Sequence, residues 1–499
     1  MTEQYKVFEA VLAGTAEGNP FQDKWLKAAF TNGTETVEVN GFYCGNGVWK
    51  VRFMPGKPGK WTARTVSNDT ALDGIALDCE CTAAGRGNHG RVMLKSEVKL
   101  QKPGTYEDRF HFAYEDGTVF RPFGTTCYAW INQSGDVQEQ TLETLKNAPF
   151  NKVRMCIFPK HYDFNNNDPE DYPFVGNARE GFDFTRFNPA FWDRLERRIA
   201  QLDALGIQAD VILFHPYDRW GFADMGRDTD VFYLKYAVDR LSHFKNIWWS
   251  MANEYDLMPW KTVQDWESYA RVVIGRDPYG HLRSIHNCMK LYDHTRPWIT
   301  HVSVQRIDIY KTAEAVTEWR ELYQKPIVVD ECAYEGNINH GWGNITGEEM
   351  TRRFWEGCIR GGYLSHGEVY VQYDQIWWAH GGALHGTSPA RIAFLRQIME
   401  DLPDGAAPLR LTRENRMASW DVPGLCTEDN SFFLFYFGFF RPRFRTYELP
   451  EGCSYEIELI DTWDMTIKRL PGVWSGSIRI DMPEKQYMAI RMKKIETPA

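Results

Sequence analysis

The period of hydrophobic and polar positions changes twice along the chain. Over residues 1–95 apolar residues alternate with polar ones in short runs such as "TVEVNGFY" and "VWKVRFMP", broken by turn residues as in "PGKPGKW". Alternation of this kind builds half-buried strands, and a small β-sandwich is their natural closure. From 96 to 404 continuous apolar runs alternate with stretches of helical period. The strand candidates are "FRPFGTTCYAW", "KVRMCIFPK", "IQADVILFHP", "IWWSMANE", "RSIHN", "WITHVSV", "PIVVDECAY" and "GYLSHGEVYV". Between them, "NPAFWDRLERRIAQLDALG" reads as a helix capped by Asn188, with Pro189 in its first turn and Phe191, Leu195, Ile199 and Leu202 on one face. "SPARIAFLRQIMEDL" starts by the same logic and closes the series. Residues 405–499 return to strands, in "FFLFYFGFF", "SYEIELIDTW", "SIRIDM" and "YMAIRM". The fold class expected is therefore α/β: a central (β/α)8 barrel flanked by N-terminal and C-terminal β-sandwiches. Only "CMKLYDHTRP" separates the fifth and sixth candidates, too little for a standard helix, which makes the fifth strand the weakest member of the series.

In a (β/α)8 barrel the chemistry sits at the C-terminal ends of the strands. Reading those ends gives Arg154 on the second, His215 on the third, and Asn253 with Glu254 on the fourth. The sixth carries His301, the seventh Glu331, and the eighth His366 and Glu368. Two glutamates on separate strands facing one mouth are what glycosidic bond cleavage requires: one protonated to donate to the leaving oxygen, one ionised. Asp330 competes with Glu331, and strict alternation sends the two to opposite faces, leaving Asp330 to pair with a cation or cap a backbone group. Glu335 and Glu368 are further carboxylates near the mouth that either bind sugar hydroxyls or hold other residues in place.

Composition narrows the partners. A net charge of -10 supplies no basic surplus for nucleic acid, and no apolar run approaches the roughly 20 residues of a membrane helix. Neither partner is expected. The opening "MTEQYKVFEAVLAG" has no basic segment followed by an apolar run, so a cytoplasmic protein is expected, with its 10 scattered cysteines reduced. Aromatic residues reach 15%, including 19 tryptophans, which serve β-rich cores or flat sugar platforms. Trp130, Trp220, Tyr334, Trp342, Trp377 and Trp378 lie near the expected mouth; Trp342, in the glycine-rich "NHGWGN", is singled out because a large ring there needs a partner. Association into a homo-oligomer would cover aromatic sandwich faces.

"WSMANEYD" and "PIVVDECAYEG" resemble the acid/base and nucleophile signatures of clan A glycoside hydrolases. The resemblance implies a (β/α)8 barrel, a retaining mechanism, Glu254 as general acid/base and Glu331 as nucleophile. It also implies that Asn253 bonds the sugar 2-hydroxyl and that Arg154, in "KVRMCIF", supports the nucleophile. The flanking segments "VWKVRFMPGKPGKWTART" and "IELIDTWDMTI" resemble β-domains found before and after such barrels. The expectation is an exo-acting glycosidase on oligosaccharides or small glycosides, without cofactor or metal, with Asn253, Arg154, His215, His301, Trp342, Glu368 and Tyr334 contacting substrate. Two rivals remain. One is a metal-dependent barrel hydrolase built on His161, His215 and His301, which lacks a His-x-His pair on its first strand; the other is a non-catalytic sugar-binding protein, which should have lost one glutamate.

Overall fold

The structure, a computed structural model, describes residues 1–99, 104–306, 310–373, 375–412 and 415–495. Eight parallel strands form the centre: β1 (Phe123–Thr126), β2 (Lys152–Cys156), β3 (Gln208–Ile212), β4 (Ile247–Ser250), β5 (Arg283–Ser284), β6 (Val302–Gln305), β7 (Ile327–Glu331) and β8 (Tyr363–His366). In space they run β5-β4-β3-β2-β1-β8-β7-β6, so one seam, between β5 and β6, is not closed by a backbone ladder. One backbone bond, from the Thr300 amide to the Arg283 carbonyl, and several side chains bridge it instead. Thr300 exchanges bonds with the backbone of Arg283, Asn287 with that of Gln305, and His286 Nδ1 lies 3.1 Å from Ser303 Oγ. The weak fifth strand is thus real but two residues long, and no helix follows it before β6. Among the described residues, helices follow the other seven strands and cover the outer face. The helix Pro189–Ala204 starts as its sequence requires, with the Asn188 side chain accepting from the Ala190 amide at 3.2 Å.

The lumen is filled, not open. At its floor Phe112, Phe120, Trp248, Val328 and Tyr363 pack together, closed by a small sheet of Val92–Leu94, Phe112–Tyr114 and Val119–Phe120. Above lies a polar layer: Lys152 binds Asp210 at 2.5 Å and Asp330 at 2.8 Å, all three 0% exposed. Ser303 and Ser365 complete the coordination of Asp330. The layer leaves no room on β1, where a Cβ on Gly124 would come within 2.2 Å of Ser365 Oγ.

The N-terminal domain is a sandwich in which a five-stranded and a three-stranded sheet enclose Phe30, Phe53 and Trp61. Cys79 and Cys81 both point into this core as free thiols. Arg52 ties the sandwich to the barrel, reaching Glu196 and the carbonyl of Arg240. The C-terminal domain carries a six-stranded antiparallel sheet and a separate two-stranded ribbon, and its Leu434 and Tyr436 pack against barrel helix Gly347–Ile359 through residues such as Trp355. Among the described residues no helix is long and apolar enough to cross a membrane.

Candidate active site

Glu254 stands at the exit of β4 with φ +52°, a left-handed conformation that a glutamate adopts only under constraint. Its neighbours supply that constraint. The Asn253 amide donates to the Phe214 carbonyl beyond β3, and the Tyr255 amide to the His286 carbonyl beyond β5, each at 2.9 Å. The backbone is clamped from both sides, so the side chain turns into the mouth. There Oε1 accepts from Gln305 Nε2 at 2.8 Å, and Oε2 accepts from Asn253 Nδ2 at 3.1 Å and from the Tyr217 hydroxyl. Every one of these donors is neutral.

Glu331 arrives by a different device. Opposite β6, Val304 pairs with Val329 but Gln305 pairs with Glu331, leaving Asp330 as the extra residue of a bulge. The expectation that alternation separates the two carboxylates is corrected here. Lys152 and Arg154 lie two apart on β2, hence on one face; Asp330 binds the first and Glu331 the second, so both acids point inward. Glu331 Oε1 lies 3.4 Å from Arg154 Nη1 and 3.3 Å from His286 Nε2, and accepts from the Tyr128 hydroxyl. Burial by itself would push this carboxyl up. The His286 contact, the Arg154 charge and the Tyr128 hydroxyl outweigh it and hold Glu331 well below the usual carboxylate range, at about 2. Arg154 Nη1 also donates to Asn253 Oδ1 at 2.7 Å, which fixes the Asn253 amide group toward Glu254. One guanidinium therefore orients parts of both glutamate sites.

The two glutamates share a cleft of about 390 Å³ with Tyr128, Lys160, Tyr217, Gln305, Trp342 and Trp378. Its size falls within the range of about 300–1,000 Å³ typical of small-molecule sites. Trp342 finds its partners there, 5.1 Å from the Trp378 ring and 6.0 Å from Tyr334. A larger groove of about 560 Å³ lies between the barrel and the C-terminal domain, lined by Tyr106, Arg320 and Trp420 among others, away from both glutamates.

Comparison with known proteins follows this geometry. Residues 106–407 match the Apiosidase-like catalytic domain, while 1–68 and 420–493 match domains of unknown function (DUF5060 and DUF5605). The chain belongs to the Apiosidase-like family. A glycoside hydrolase candidate from Bacteroides vulgatus ATCC 8482 shares 36% identity over 99% of both chains, with a TM-score of 0.90. A family 5 glycoside hydrolase from the same organism shares the fold at 17% identity, covering 81% of this chain and 94% of its own, with a TM-score of 0.62. A search of curated proteins returns no match. This Apiosidase-like chain is accordingly a glycosidase built on a (β/α)8 barrel.

Within the Apiosidase-like barrel the remaining expected contacts divide. Asn253, Arg154, Tyr334 and Trp342 gather at the cleft or directly behind its glutamates. His301 does not. It precedes β6 rather than ending it, and packs on the floor against Trp248 at 5.1 Å and Phe112 at 5.7 Å. Burial pushes its imidazole down to about 3. His215 sits behind the cleft wall, with Nε2 3.2 Å from the Phe158 carbonyl, and burial likewise takes it to about 3. Glu368 is 1% exposed and binds the backbone amides of His385 and Gly386, so it anchors a loop instead of facing substrate. Glu335 does the same for Thr387 and Ser388. Among the described residues, the only group of His, Cys, Asp and Glu able to hold a metal ion is Glu335, His366 and Glu368, with ligand atoms within 4.8 Å; His161, His215 and His301 are not part of it. Trp130 and Trp377 are core residues, and Trp220 donates to Asp168 at 2.9 Å.

Sequence reasoning missed Tyr128, Lys160, Tyr217, His286 and Gln305. Signals were present: Tyr128, Lys160 and His286 sit inside the "FRPFGTTCYAW", "KVRMCIFPK" and "RSIHN" strand candidates, and Gln305 directly follows "WITHVSV". Tyr128, Lys160 and Tyr217 nevertheless lie on loops leaving β1, β2 and β3, where no periodicity dictates direction.

Proposed function

We propose that the enzyme cleaves glycosides by double displacement, with Glu331 as nucleophile and Glu254 as general acid/base, acting at the end of an oligosaccharide or on a small glycoside. The observation that carries this reading is the unequal surroundings of the two glutamates. Glu331 is held ionised by Arg154, His286 and Tyr128, as attack on an anomeric carbon requires. Glu254 accepts instead from the neutral donors Gln305, Asn253 and Tyr217, a setting that differs from that of Glu331 and fits a general acid/base. Asn253 is set beside the acid/base where a sugar 2-hydroxyl would lie. The cleft, walled by Tyr162, Trp342 and Trp378, suits a chain end or a small glycoside. The family's description makes apiosides the first sugars to try.

The test is a panel of nitrophenyl glycosides, furanosides and apiosides included, with wild type, Glu254→Ala and Glu331→Ala. Both variants should lose turnover by at least about 1,000-fold, and azide should rescue Glu331→Ala with inversion of the product anomer. A fluorosugar should label Glu331. Labelling elsewhere, or full activity in either variant, would refute the assignment.

A further inference from the structure

The loop leaving β2 carries a buried cation that the protein does not neutralise. Lys160 is 3% exposed, and its Nζ sits over three aromatic faces, 3.6 Å from the ring centre of Tyr128, 4.3 Å from Tyr217 and 4.6 Å from Trp378. Among the described residues Nζ has no hydrogen-bond or ion-pair partner. Other buried cations are treated differently: Lys152 binds Asp210 and Asp330, Lys261 binds Asp230, and Arg154 binds Glu331. Cation–π contacts offset only part of what burying an unpaired ammonium costs. Burial indeed pulls Lys160 below the ordinary lysine range, although Cys156, Glu254 and Glu331 lie near enough to pull it back. A position this costly is not explained by stability.

The cage also locates the ammonium. Tyr128 donates to Glu331 and Tyr217 to Glu254, so the cation lies between the supports of the two reacting carboxylates, on the wall of the same cleft. Because Lys160 lines the cleft and Nζ has no acceptor among the described residues, an acceptor for its N–H groups has to come from the ligand. We propose that Lys160 is a specificity-determining residue whose ammonium donates to hydroxyl oxygens of the sugar held between Glu254 and Glu331. This rests on the glycosidase reading of that cleft. The sugar it selects presents an oxygen to the β2 loop; one lacking that oxygen leaves a buried ammonium unpaired, and is rejected for that reason.

Lys160→Met keeps the stem and removes the charge. The readouts are melting temperature, and kcat/KM on the glycoside the panel identifies and on its monodeoxy analogues. The variant should melt at or above wild type, and lose about 100-fold or more in kcat/KM on the hydroxylated glycoside. One deoxy analogue, poor for wild type, should be turned over equally well by both proteins, because the lost hydroxyl and the lost ammonium are partners. Lys160→Gln should fall between. If Lys160→Met keeps kcat/KM within about 3-fold, or loses the same factor on every analogue, while Glu254→Ala and Glu331→Ala remain inactive, the role given to Lys160 is wrong and the catalytic reading stands. If those glutamate variants stay active, the catalytic reading fails and takes this inference with it. Should both Lys160 variants melt more than about 10 °C below wild type, the residue is a structural strut and the proposal is overturned. If no nitrophenyl glycoside is turned over, saturation-transfer NMR with free pentoses and hexoses reads the same contrast. Binding lost in Lys160→Met supports the proposal; equal binding in both, or none in either, overturns it.

Discussion

Tyr128→Phe removes one oxygen from the centre of the site and should separate the two halves of the reaction. That hydroxyl donates to Glu331 Oε1 and accepts from Arg154 Nη1 at 2.9 Å. A hydrogen bond to a charged group contributes about 1.5–3 kcal/mol, and about 1.4 kcal/mol is tenfold, so the acid dissociation of Glu331 should weaken by roughly 10- to 150-fold. The sign follows from what the donor stabilises. It favours the carboxylate, so its loss raises the folded-state pKa from about 2 back toward the ordinary carboxylate range. Glu331 must be ionised to attack, so the acid limb of kcat/KM should move up into the measurable range. A carboxylate short of one donor is also a poorer leaving group. Breakdown of the glycosyl-enzyme should slow, giving a nitrophenol burst followed by a slower steady state. Stopped-flow release of nitrophenol between pH 3 and 9 reads both effects. An unmoved acid limb together with wild-type turnover would refute the assignment of Tyr128 to the nucleophile's support.

Two further outcomes concern stability. Lys152→Met leaves Asp210 and Asp330 buried without their cation and should destabilise the barrel by about 3–5 kcal/mol, whereas Lys152→Met/Asp210→Asn/Asp330→Asn should recover most of the loss. Urea unfolding followed by tryptophan fluorescence measures this, and a loss under about 1 kcal/mol in the single variant would contradict the polar layer's role. Burial pushes Glu368 up to about 7 against the His385 and Gly386 amides that oppose the rise. A carboxyl raised above its unfolded value stabilises fully below about 4.5 and loses that contribution as pH rises through about 7. Relative to Glu368→Gln, wild type should therefore become less stable across that window, by up to about 3 kcal/mol; a difference that stays flat with pH would discount the shift.

The barrel was legible because most of its staves are buried on both sides and so read as apolar runs; β5, the polar pair Arg283–Ser284, is the exception and was accordingly the weakest of the series. Glu254 and Glu331 were legible because polar groups ending such runs have to face the mouth. What could not be read was direction. The bulge at Asp330 exists only relative to β6, so a single strand's alternation misplaces its neighbour. His301 looked like a strand end because "WITHVSV" does not mark where pairing begins; pairing begins at Val302, so that histidine enters the strand at the floor, a strand's length from the mouth. Lys160 and Tyr217 lie on loops, where aim is set by the aromatic rings they meet.

The unladdered seam bears on the spacing of Glu254 and Glu331. β5 leads to His286, which touches Glu331, and β6 ends in Gln305, which holds Glu254. Each stave therefore steers the glutamate that belongs to another strand, and apart from one backbone bond, from the Thr300 amide to the Arg283 carbonyl, the two staves are joined through threonine, serine, asparagine and histidine side chains. Such a joint is softer than a backbone ladder, because side-chain rotamers can adjust where paired amides cannot. The seam held largely by side chains thus runs between the groups that bond Glu254 and Glu331, and so bears on how far apart the two carboxylates stand.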